Sequence, residues 1–119
     1  MRMFRQEIFR PWVWNAMFPN FVDTVPPKMI ASIKALTRTK QTVYVPGHGT
    51  LAHAADITRY LAMHEEVEKA ARKAHAAGTS AEDAAKTFAL PASVGDWALF
   101  NPTSKIFYER AFSAWYKAI

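Results

Sequence analysis

In VYVPGHGTLAHAADITRYL, the stretch from Val43 to Leu61, one histidine stands between two glycines. Neutral imidazole is a good ligand for Zn²⁺, bound at about 2.0–2.1 Å. Glycine on both sides of His48 lets the backbone turn sharply and leaves the ring unobstructed. The same Gly47-His48-Gly49 also reads as a plain turn between a strand and a helix. The remaining histidines are His53, His64 and His75, spaced eleven residues apart. On a helix this aligns them along one line but separates neighbours by about 16 Å, too far to share an ion. His53 then sits near a helix start, His64 on the inner face and His75 in solvent near the helix end. His48, His53 and Asp56 gather around one helix N-terminus and form a second candidate metal site, opposed by the positive end of the helix dipole. Glu65, Glu66 and Glu68 have the chemistry for acid–base work. Their spacing from Lys69 and Arg72 instead suggests a solvated face, with pairs Glu65–Lys69 and Glu68–Arg72. No Ser–His–Asp arrangement, phosphate-cradling glycine loop or nucleotide fingerprint accompanies them.

The elements that must position these residues follow from periodicity and punctuation. Residues 1–22 are aromatic and irregular, with Pro11 and Pro19 breaking any long element, although Met3 to Phe9 has the makings of a short strand. Thr24 is placed to cap a helix starting at Pro26-Pro27, where missing N–H groups cost nothing. Met29, Ile30, Ile33 and Leu36 give that helix one apolar face. Thr42 to Val45 is β-branched and aromatic, which predicts a strand ending at Pro46. A long helix follows from Ala54 to Ala77, with Ile57, Leu61, His64, Val67 and Ala71 as its inner stripe and Gly78 as its C-cap. Thr79 or Ser80 caps a short helix with Glu82 and Asp83 in its first turn. ASVGDWALF is a loop or a single turn. A final helix opens at Asn101-Pro102, with Tyr108, Phe112, Trp115 and Ile119 on one stripe, widened by Phe107, Ala111 and Ala114. Apolar over so much of its girth, it must be packed on both sides or bound to something. The lone strand needs a neighbour for its backbone hydrogen bonds.

The bulk composition bounds the function. The 119 residues make a single domain, 1–119, of which 50% are hydrophobic and 13% aromatic, enough to bury a core. The absence of cysteine excludes a disulfide scaffold and a thiol nucleophile, and makes a reducing cytoplasm the default location. Net charge is +5, yet the bases mix with acids outside Arg2, Arg5 and Arg10, so no specific nucleic-acid partner is expected. No secretory signal and no membrane-length apolar run appear, which predicts a soluble chain.

The order strand, Pro-Gly-His-Gly, long helix, short G-x-S-x-E-x-A helix and C-terminal aromatic helix resembles the C-terminal portion of metallo-β-lactamase-fold hydrolases. The likeness is carried by VYVPGHGTLAHAADITRYLAMHEEVEKAARKAHAAGTSAEDAA, with FPNFVDTVPPKMIASIKAL ahead of it, and runs from about Phe18 to the C-terminus. It implies an α+β, predominantly helical fold of about four helices and one or two short strands, like half of an αββα sandwich. It also implies that His48 is a zinc ligand. The family's His-x-His-x-Asp-His motif and further ligands are lacking, and a catalytic zinc needs three protein ligands and an open position. The expectation is therefore a partial domain with an incomplete metal site and no tightly bound cofactor, non-catalytic alone. It should self-associate to cover its aromatic surface, or pair with a separate N-terminal half. Two alternatives stand beside it: a zinc-dependent hydrolase whose site is completed between chains, and a basic nucleic-acid-binding module.

Overall fold

A computed structural model describes residues 6–13, 18–19, 21, 24–35, 43–48, 54–95, 97 and 105–119, the strands by their backbone only. Its elements are strand β1 (Gln6–Val13), helix α1 (Pro26–Lys34), strand β2 (Val43–His48), helix α2 (Ala54–Ala76), helix α3 (Ala81–Thr87), a 3₁₀ turn (Ala92–Val94) and helix α4 (Ile106–Ala118). The described chain is mainly helical.

Local signals explain most helix ends. α1 starts on its two prolines, but the cap is Val25 rather than Thr24; its carbonyl takes the N–H groups of Lys28 and Met29, both at 3.0 Å. Because the prolines have already removed two of the donors a cap would serve, a side-chain acceptor is dispensable there. α2 stops at Gly78, whose φ of 73° is the left-handed conformation that lets the Thr79 N–H reach back to the Ala74 carbonyl at 3.0 Å. Ser80 caps α3, its Oγ accepting from the Asp83 N–H at 3.1 Å. Replacing Ser80 by alanine leaves that donor to water, and urea unfolding should register a loss of about 1 kcal/mol; an unchanged midpoint would show that the cap contributes nothing.

The core lies where α2 and α4 meet, with α1 and α3 against them. α2 buries Ile57, Tyr60, Leu61, Met63, His64, Val67 and Ala71. The aromatic stripe of α4, expected to remain uncovered, is internal: Phe112 and Trp115 are each 1% exposed and Tyr108 8%. Ordering of aromatic side chains from elsewhere in the chain achieves this. Phe18 meets Tyr108 edge-on at 4.9 Å, and Phe88 meets Tyr108 at 4.9 Å and Phe112 at 5.3 Å. Arg72 of α2 lies over the Trp115 ring at 5.7 Å. Among the described residues only Val25, Ile106 and Ile119 are large, apolar and exposed.

β1 and β2 pair in parallel, Gln6 opposite Val43 and Phe9 opposite Pro46, with an irregularity before Val13 opposite His48. β2 thus continues past Pro46, where the sequence signal placed its end. In a two-stranded ladder both strands are edges, and an edge tolerates a residue that cannot donate. The β1–α1–β2 order supplies the helical crossover that parallel strands require. The described residues contain this one sheet of two strands and no second sheet.

Candidate functional site

His48 is the last residue of β2, so its backbone stands at the carboxyl end of the parallel pair. Its side chain and all of His53 lie outside the described residues, as does Gly49. Gly47 is part of the strand, so no sharp turn precedes His48. Asp56 sits half-buried in the first turn of α2, where a carboxylate complements the helix dipole without any metal. Among the described residues no three His, Asp or Glu side chains are grouped to hold an ion. The described residues therefore do not by themselves fit a zinc centre.

His64 faces inward, as its place on the α2 stripe implies, and is fully buried. Its ring meets Tyr60 at 4.7 Å and Phe21 at 5.5 Å, both edge to face. Neither ring nitrogen finds a hydrogen-bond partner among the described residues. Burial holds the imidazole neutral and pulls its pKa down to about 3. Phe21, 3% exposed, adopts φ 58°, a left-handed backbone that bulky residues rarely accept. Nothing in the sequence around Phe21 signals that conformation. His75 is exposed and stacks edge-on against Tyr116 at 5.0 Å. His64 and His75 share no site, and among the described residues the buried one has no carboxylate beside it.

The acidic cluster of α2 is a solvated face. Glu68 accepts from Arg72 Nε at 2.8 Å as its spacing predicts, whereas Lys69 bridges to Glu66 at 3.5 Å rather than to Glu65. In the second turn of α2, Arg59 lies over Trp97 at 4.9 Å, and the Trp97 indole donates to the Val94 carbonyl at 2.9 Å. Gly95, at φ 85°, leaves room for that arginine, since a Cβ there would stand 3.0 Å from Arg59 Nε. These contacts hold Gly95 and Trp97 against α2.

Among the described residues, two hollows stand out on the helical body. The larger, about 480 Å³, runs between α2 and α3. Ala70 and Ala74 of α2, with Ala77 just beyond its end, form one wall, Ala84 and Phe88 the other, and Phe112 of α4 the floor, with Glu66, Lys69 and Lys73 at the rim. Alanines at i, i+4 and i+7 are visible in the sequence, but they become a concavity only because α3 folds back across them. The Tyr116 hydroxyl donates to the Thr79 carbonyl at 2.8 Å and holds that return in place. The smaller hollow, about 400 Å³, lies between Val25 at the start of α1 and Arg110, Ser113 and Lys117 of α4.

Compared with models of protein families, with curated proteins and with solved structures, the chain matches none. The resemblance around Pro46-Gly47-His48-Gly49 rests on the sequence pattern alone. No helix among the described residues is long and apolar enough to cross a membrane.

Proposed function

We infer that the chain is a metallo-β-lactamase-like C-terminal domain that is non-catalytic alone and associates with a second copy, or with a separate N-terminal half, through its strand pair. The observation that carries this reading is the ladder itself. Parallel sheets occur almost only with more strands and with both faces covered. Here two parallel strands lead into a helical layer through Pro46-Gly47-His48, and among the described residues no third strand pairs with either. Each strand offers an open row of backbone donors and acceptors that another chain can complete. The aromatic stripe of α4 is not available for this contact, because Trp115 and Phe112 are already buried. Light scattering across a dilution series tests the association. A homodimer or higher oligomer is expected in the micromolar range; a monomer at high micromolar concentration, with no other chain required for stability, would overturn it.

A second reading is favoured by the position of His48. Ligands of open α/β sheets bind beyond the carboxyl ends of the strands, and the His48 backbone ends β2 there. A zinc-dependent hydrolase whose remaining ligands come from a partner would use that edge. Metal analysis of protein purified without chelator separates the two readings. The first predicts no stoichiometric zinc and no hydrolysis of β-lactams, thioesters or lactones above background. One zinc per assembled site, lost in His48→Ala, would establish the second.

A further inference from the structure

We propose that the hollow between α2 and α3 binds a single-chain carboxylate amphiphile of the fatty-acid type. Ligand pockets are concave and mostly apolar, with a few placed polar groups, and span roughly 300–1,000 Å³; this open groove measures about 480 Å³. Ala70 and Ala74 present only methyl groups to it, and Phe88 and Phe112 add ring surface, so an alkyl chain can lie against the walls without displacing side chains. The rim is asymmetric in charge. Lys69 is engaged by Glu66 at 3.5 Å, whereas Lys73 is exposed and has no ion-pair partner among the described residues. Lys73 stands one turn from the end of α2, and its ammonium group is placed to meet a carboxylate at the mouth while the chain enters the groove. An alkyl chain of opposite headgroup charge would set its cation against Lys73. The groove is separate from the strand pair, so the proposal does not depend on how the chain associates.

Calorimetric titration of the full chain with decanoate, below its micelle concentration, tests the site. Saturable binding of one decanoate per chain is expected, with decyltrimethylammonium at least tenfold weaker. Lys73→Glu should weaken decanoate at least tenfold without altering the melting curve. Lys117→Glu makes the same change in net charge on α4, away from this hollow, and should alter affinity less than twofold. Ala74→Leu fills the wall and should abolish binding. Absence of saturable binding overturns the proposal, as does an equal loss in Lys117→Glu or retained affinity in a folded Ala74→Leu protein. Should Ala74→Leu fail to fold, the comparison of Lys73→Glu with Lys117→Glu still decides. Capture of an acidic amphipathic peptide without any decanoate binding would assign the groove to a helical partner and defeat the lipid assignment.

Discussion

Lowering the pH from 7.5 to 4.5 should cost the folded chain about 3 kcal/mol through His64 alone. The buried imidazole has its pKa pulled from 6.5 to about 3 by loss of solvent. Between those values the unfolded chain takes up a proton that the native chain refuses. Stability therefore rises with pH across this window: it is complete above about 6.5, falls by about 1.4 kcal/mol per unit below it, and stops falling near 3. Other groups titrate in the same range, so the comparison is with His64→Leu, which resembles histidine in size and cannot be protonated. Because neither ring nitrogen of His64 has a partner among the described residues, removing both polar atoms leaves nothing behind unsatisfied. The substitution should be within about 1 kcal/mol of neutral at pH 7.5. Urea midpoints measured for both proteins should converge at pH 7.5 and separate progressively in favour of His64→Leu as the pH falls. Parallel pH profiles would mean that His64 is reached by water or by a partner, and that its neutrality is not imposed by burial.

The second large effect is at Trp115. Truncation to alanine should remove about 3–5 kcal/mol, a large share of the stability of a domain of this size. The side chain is 1% exposed and belongs to the continuous cluster that joins α4 to α2. It also supports Arg72, whose guanidinium lies over the ring at 5.7 Å and contributes about 0.5–1 kcal/mol at such an exposed site. Trp115→Phe keeps much of the ring surface and discards an indole N–H that has no acceptor among the described residues, so its cost should be well below that of alanine. Denaturant unfolding at two protein concentrations distinguishes a core role from an interface role. A core tryptophan gives the same loss at both. A loss that grows with dilution, accompanied by dissociation in light scattering, would place Trp115 between chains.

The sequence by itself determined what short-range physics controls. Gly78 stops α2 because only its left-handed backbone allows the Thr79 N–H to turn back to Ala74. Ser80 caps α3 through a donor three residues away, and Pro26-Pro27 open α1 without leaving amides unpaired. The inner stripe of α2, His64 included, follows from 3.6-residue periodicity. At each of these positions the partner lies within about one helical turn, so the residue names its own geometry. Tertiary structure alone decided whether an apolar surface was covered. α4 carries aromatics around much of its girth, and nothing local reveals that Phe18 and Phe88, distant in the chain, close over Tyr108 and Phe112. The extension of β2 through Pro46 depended on β1 lying alongside it, because a ladder is a property of two strands. The α2–α3 hollow was equally hidden: three alanines and two lysines become walls and rim only when α3 turns back at the angle that Gly78 permits and the Tyr116–Thr79 hydrogen bond maintains. Long-range contacts of this kind depend on which surfaces meet, and periodicity along one segment carries no record of the segment it will meet.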